Sequence, residues 1–427
     1  MEKVIKPIES LRGEISLPGD KSISHRVVLM GAIAEGDTEG SNFLTADDCL
    51  RTVECFRDMG VDIRLEGKRI LIKGKGLRGL KKPVKELYAG NSGTTMRLLS
   101  GILAGQNFEA TLTGDQSLSR RPMARIIEPL RAMSVSACSK NADNLPPLVI
   151  KGGVVSPVSY STKVASAQVK SCILLAGLYA DGTTSVTEPF LSRDHTERML
   201  PAFGVGISIK KRSVSVKGPA ELRAAQFFIP GDMSSAAFFI AAACMLKGSE
   251  ITLREIGLNP TRTGFMEAVK RMGADVEILK SKNTKEPYGD VRAGYSDLKA
   301  IVIEKSEIPK IIDEIPIFAV LASQAKGDTV IKGVAELKVK ETDRVFSITE
   351  NLRRMGADIR CEGEDLIIRG NRGRFKPSKI ASFNDHRTAM SVAVAGLFAA
   401  GESVIDDVSC VDISFPEFFE VLDCLKK

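Results

Sequence analysis

Tryptophan is absent from this chain of 427 residues, tyrosine occurs five times and histidine three times. Long apolar runs are missing too. The longest, Ala236 to Leu246, is about half of the roughly 20 residues that a membrane-crossing helix needs, which argues against a membrane-spanning helix. The opening residues MEKVIKPIES carry charge but no apolar core and predict no secretory signal. The eight cysteines form no Cys-x-x-Cys pair and have no partnered histidine spacing. That pattern argues against a disulfide framework or a zinc site and predicts reduced thiols in a cytoplasmic protein. No nucleotide fingerprint is present, since GKGLRGLKK at 74–82 lacks the closing Gly-Lys-Ser/Thr and the helix of a P-loop. No metal or cofactor is expected. Charge of one sign is scarce as well: 60 Lys+Arg against 53 Asp+Glu leave +7, spread along the chain. This permits nucleic-acid binding without pointing to it, and equally suits a local basic site for a small anion.

What remains is the composition of a globular protein, 43% hydrophobic and 26% charged, with length for two or three domains. Its main feature is repetition. Six times a small-aliphatic segment ends in a glycine turn and a β-prone residue follows: VVLMGAIAEG, MRLLSGILAG, LLAGLYADG, FFIAAACMLKG, FAVLASQAKG and VAVAGLFAAG. The turn glycines are Gly36, Gly105, Gly182, Gly248, Gly327 and Gly401, spaced by 69, 77, 66, 79 and 74 residues. Between them a helical stretch runs into a strand pair, beginning at Met59, Met133, Phe203, Met272 and Met355. The sixth unit has only a tail, and the N-terminal segment LRGEISLPG is expected to complete it, so that the chain begins and ends in one domain.

Each unit reads as βαβαββ, about 70 residues long, too large for a solenoid repeat. Two α/β domains of three units each are predicted: residues 1–19 with 231–427 as one discontinuous domain, and 20–230 as the other.

Fourteen residues before the turn glycines stand Ser22, Asn91, Gln168, Ser234, Asp313 and Arg387, all polar. The spacing predicts six helices of about 14 residues, each opening on a polar turn, with bodies aliphatic all round and therefore buried. A buried helix start brings unsatisfied N–H groups and partial positive charge. Cations stand beside these starts (Lys21, Arg26, Arg97, Lys170, Arg387), and others lie in loops (Arg120, Arg121, Arg193, Lys340, Arg344). Helix starts gathered on one face of each domain, with the faces opposed, would form a cleft for phosphate or carboxylate anions. Asp313 is expected to open a helix, and either Asp313 or Glu341 to serve as general base there, with Lys21 or Glu341 as general acid. The three histidines, His25, His195 and His386, lie in polar motifs and are expected to make hydrogen bonds beside the site.

GDKSISHR, GNSGTTMRLL, GDQSLSRRPM, SAQVKS, SRDHTERML, KETDR and NDHRTAM together resemble the 5-enolpyruvylshikimate-3-phosphate synthases, in the family's order from Lys21 to Arg387. The resemblance implies an inside-out α/β arrangement of six βαβαββ units, three per domain, with the active site in the cleft between the domains. The implied reaction joins phosphoenolpyruvate and shikimate 3-phosphate to give the enolpyruvyl ether and phosphate. It assigns shikimate 3-phosphate to Lys21, Ser22, Arg26, Ser166, Gln168, Asp313 and Lys340, with Arg193 adding charge as in a more divergent branch. Phosphoenolpyruvate falls to Lys21, Gly93, Arg121, Gln168, Arg344 and Arg387. Asp313 would take the hydroxyl proton, and Glu341 or Lys21 would protonate the methylene carbon. Room beside Gly93 implies inhibition by glyphosate. Partners would be these small anions alone, with no nucleic acid or membrane, and the enzyme a monomer.

Three departures stand out. Ala167 replaces a second serine of some members, Glu336 replaces an asparagine, and VDISFPEFF lacks the lysine that many members carry before Phe-Pro. Two other readings fit less well. The related transferase acting on UDP-N-acetylglucosamine typically pairs Lys with Asn at the first helix start and has a cysteine in its mobile loop, whereas this chain has Lys21-Ser22 and no cysteine in GDQSLSRRPM. A nucleic-acid clamp would carry Lys and Arg along its helix faces.

Overall fold

A computed structural model describes residues 1–426. The chain divides into two compact units, Gly19–Ile229 and Met1–Pro18 with Pro230–Lys427. Among the described residues no helix is long and apolar enough to cross a membrane, and no disulfide links the eight cysteines.

The repeat is visible in the sheets, five of four strands and one of three. The second unit shows the pattern plainly. Leu87–Tyr88 runs parallel to Glu109–Thr113, which pairs antiparallel with Leu148–Lys151, and Ser136–Ser139 lies at the far edge. Ser159–Ser161, Gly182–Thr187, Ser213–Gly218 and Ile207–Lys210 repeat this order, as do Val302–Ile303, Gly327–Ile331, Asp365–Gly370 and Asp358–Glu362. Alternation sets the inner face: in Arg69–Lys73 only Ile70 and Ile72 are buried, in Ser213–Gly218 Val214, Val216 and Gly218. The residues preceding the strand pairs, Met59, Met133, Phe203, Met272 and Met355, are all buried.

The remaining sheets borrow a strand from elsewhere in the chain. Gln226–Phe228 joins Asp37–Ser41 of the first unit in parallel. Arg12–Ser16, the core of LRGEISLPG, pairs in parallel with Glu250–Gly257 and so completes the fourth unit, not the sixth. The sixth is completed by Lys3–Ile5, antiparallel to Ser403–Ile405, itself parallel to Lys379–Ile380. The fourth unit lacks a first strand of its own, and the sixth lacks a hairpin. Each N-terminal strand fills the lane whose backbone would otherwise stay unpaired.

Buried helices carry the cores. Met233–Met245 and His386–Leu397 are buried at every position and pack with Ile315–Ala322. In the other unit Lys21–Ala32, Gly93–Leu103 and Ala167–Gly177 carry the core, buried except in their first turns. The small side chains allow close approach. A Cβ on Gly101 would lie 2.3 Å from the Cys172 backbone oxygen, so only glycine permits that crossing. The helices are shorter than the predicted 14 residues, spanning 8 to 13.

Candidate functional site

Helix caps come first, because they set the backbone. Asp20, Ser92 and Ser166 accept from the N–H groups of Ile23, Thr95 and Val169, fixing the starts of the Lys21, Gly93 and Ala167 helices. Caps leave the remaining N–H groups of each first turn pointing outward with the helix dipole behind them.

Around these starts the Gly19–Ile229 unit gathers cations. Lys21 Nζ lies 3.0 Å from Asp48 Oδ2, with 17% of its side chain exposed. Arg26, buried, donates to Ser22 O at 2.9 Å, Ser171 Oγ at 2.9 Å and Thr196 Oγ1 at 2.8 Å. Arg97 donates to Gln168 Oε1 at 2.6 Å, and Gln168 in turn donates to Thr94 Oγ1 at 2.9 Å, so two helix starts are tied together. Arg121 bonds to Asn91 and to Ser117, and Asn91 to Asp115 at 2.7 Å. Gly93 sits against both guanidiniums: a Cβ there would lie 2.7 Å from Arg97 Nη1 and 3.3 Å from Arg121 Nη1. Arg193 stands half-buried in the loop after Gly182–Thr187. His25 is fully buried with Nδ1 2.7 Å from Thr52 Oγ1, and burial, then Lys21 and Arg26, push its pKa well below the usual histidine value. It is therefore neutral at pH 7.

The other unit gathers carboxylates about one arginine. Arg344, 2% exposed, donates Nε to Asp385 Oδ2 at 2.9 Å, Nη1 to Asp313 Oδ1 at 3.1 Å and Nη2 to Glu341 Oε2 at 2.6 Å. The three carboxylates raise its pKa despite the burial that opposes them, so it stays charged. Asp385 also caps the His386 helix by accepting from the N–H groups of Arg387 and Thr388. Arg387 is buried, and its Nε–H has no hydrogen-bond partner among the described residues. Lys340 is half-buried at the end of the turn Val334–Val339.

A family model described as EPSP synthase (3-phosphoshikimate 1-carboxyvinyltransferase) matches residues 5–422. The chain belongs to the EPSP synthase family. Among its relatives, the 3-phosphoshikimate 1-carboxyvinyltransferase of Desulforamulus reducens is 50% identical over 425 residues, 99% of each chain. That of Bacillus subtilis is 47% identical over 421 residues, 98% of each. The EPSP synthase structure from Acinetobacter baumannii superposes with a TM-score of 0.89 at 43% identity, covering 100% of this chain and 98% of that one.

Two expectations about these residues need correction. Asp313 does not open its helix. It lies in the turn joining Ile308–Ile311 to Ile315–Ala322, with Glu314 at the cap position, because Pro316 fixes the first turn of the second helix and the chain winds through a short preceding turn. Its carboxylate accepts from Arg344. Lys170 does not stand at an anion site either: its side chain, 2% exposed, lies between Glu188 and Glu197. Sequence reading also missed Asp385 and Asp48. Asp385 had a legible signal, an Asp one residue before a helix; Asp48 pairs with a lysine 27 residues away and had none.

Proposed function

We propose that this EPSP synthase family member transfers the enolpyruvyl group of phosphoenolpyruvate to the 5-hydroxyl of shikimate 3-phosphate and releases phosphate. The observation that carries the reading is Arg344, a buried cation that draws Asp313 and Glu341 together in a chain matching the family over residues 5–422. Asp313 takes the proton of the attacking hydroxyl as its oxygen bonds to C2 of phosphoenolpyruvate. The methylene carbon gains a proton from Glu341 or Lys21. The adduct then loses phosphate as a methyl proton leaves, restoring the double bond. Arg344, Arg387 and Arg121 hold phosphoenolpyruvate and its departing phosphate by charge-assisted hydrogen bonds. Lys21, Ser22, Arg26, Ser166, Gln168, Arg193 and Lys340 hold shikimate 3-phosphate. The enzyme works as a cytoplasmic monomer with no nucleic-acid partner.

The test is phosphate release by purified protein with both substrates, beside Asp313→Ala. Release that needs both substrates and collapses in the variant supports the reading. Folded wild-type protein that releases no phosphate, or does so only with UDP-N-acetylglucosamine as acceptor, overturns it.

A further inference from the structure

The third repeat departs from its neighbours where Arg193 stands. Elsewhere the strand pair is preceded by a helix of 8 to 12 residues: Asp47–Asp58, Ala124–Ala132, Gly264–Arg271 or Arg344–Arg354. Here residues 188–194 form a loop, followed by the short helix His195–Met199 and the single turn Leu200–Phe203. A guanidinium on such a loop binds an anion well only if the loop is held, because ordering it during binding costs free energy.

A buried ion triad holds both ends of this loop. Lys170, on the Ala167 helix, places Nζ 2.8 Å from Glu188 Oε2 and 2.7 Å from Glu197 Oε1, with all three side chains at most 2% exposed. Glu188 is the first residue of the loop; Glu197 lies on the helix that ends it. Glu188 also accepts from the Ser166 N–H at 3.0 Å and the Ser192 N–H at 3.4 Å. Thr196, next to Glu197, receives Arg26 Nε and lies 2.6 Å from Ser171 Oγ. One lysine thus ties together the surroundings of Ser166, Arg193 and Arg26.

Stability alone does not account for such a cluster. Burying charge is expensive, and a buried pair often does no better than apolar residues of the same size. Here two carboxylates face one lysine, and Glu197 Oε2 has no hydrogen-bond partner among the described residues. Burial raises the Glu197 pKa, against the pull of Lys170. What the cluster does supply is fixed geometry between a helix start and a loop.

We infer that Lys170, Glu188 and Glu197 are positioning residues that pre-set Ser166, Arg193 and Arg26 for shikimate 3-phosphate, with little bearing on phosphoenolpyruvate. This rests on the function proposed above. Arg121 is held through Asn91 and Ser117, neither of which bonds to the triad among the described residues, so loss of the triad is expected to fall first on shikimate 3-phosphate.

The test replaces Glu188, which carries the backbone bonds to both Ser166 and Ser192. Calorimetric titration of full-length Glu188→Ala with shikimate 3-phosphate is expected to show Kd raised about tenfold, the loss of roughly one charge-assisted hydrogen bond. KM for phosphoenolpyruvate at saturating shikimate 3-phosphate stays within about twofold of wild type. Glu188→Gln keeps the shape and one acceptor but not the charge, and is expected to lose about threefold. If Glu188→Ala does not fold, Glu188→Gln decides by the same criteria. A folded variant with wild-type Kd, or equal rises in KM for both substrates, overturns the inference. Wild-type protein inactive with both substrates overturns the function itself; active wild type beside unchanged variants overturns only the positioning role.

Discussion

Gly93→Ala separates binding from stability at one atom. The added Cβ would lie 2.7 Å from Arg97 Nη1, where ordinary contact begins at 3.4 Å, so the guanidinium has to retreat by about 0.7 Å. That retreat pulls on its 2.6 Å bond to Gln168 Oε1 and, through Gln168, on Thr94. Contact with Arg121 Nη1 at 3.3 Å is only slightly tight. A charge-assisted hydrogen bond contributes roughly 1.5–3 kcal/mol, and losing about half of one raises KM for phosphoenolpyruvate about three- to twelvefold. Gly93 is the first residue of its helix with no positive φ, so alanine there brings no backbone strain. Folding stability should stay within about 1 kcal/mol of wild type, the gain of alanine over glycine offsetting part of the weakened Arg97–Gln168 bond. The assay is steady-state phosphate release at varied phosphoenolpyruvate, paired with urea denaturation. The same crowding should weaken inhibition by glyphosate, which wild-type enzyme is expected to show in competition with phosphoenolpyruvate. An unchanged KM in a folded Gly93→Ala variant would refute the account of this helix start.

Asp313→Ala should lower kcat by about 10²–10⁴-fold, the usual contribution of a positioned general base, with a smaller change in KM. Asp385→Ala removes the one carboxylate on Arg344 that is wholly buried, together with two backbone caps. A loss of about 3–5 kcal/mol in urea denaturation is expected, and a loss under about 1 kcal/mol would sink the structural role. His25 has its folded pKa depressed, so the stability it contributes is complete above about pH 6.5 and is lost as pH falls toward the folded value, by roughly 1.4 kcal/mol per unit. The urea midpoint of wild type should therefore fall more steeply from pH 7.5 to 5 than that of His25→Asn; parallel slopes would rule this out. Gly101→Val forces two packed helices apart at the Cys172 carbonyl and should give a protein more than about 3 kcal/mol less stable, or insoluble, when expressed beside wild type.

Local signals made much of this protein legible. Glycine turns and the Met or Phe before each strand pair marked the repeat, since tight turns and buried helix ends restrict residue choice over a few positions. Residue motifs likewise marked the family, because charged groups and small residues at helix starts cluster within short stretches of chain. Pairings across long separations were not legible. Arg12–Ser16 and Lys3–Ile5 are both short and β-prone, and only the lanes left open in the fourth and sixth sheets decide which strand goes where. Lys170 reads in sequence as one more cation near a helix start, and nothing local says that Glu188 and Glu197 enclose it. Asp313 reads as a cap, and becomes a partner of Arg344 only when a turn 31 residues further on brings the guanidinium beside it. Sequence determines which charges and strands exist; burial, which makes an unpaired charge or backbone edge costly, decides in three dimensions which of them meet.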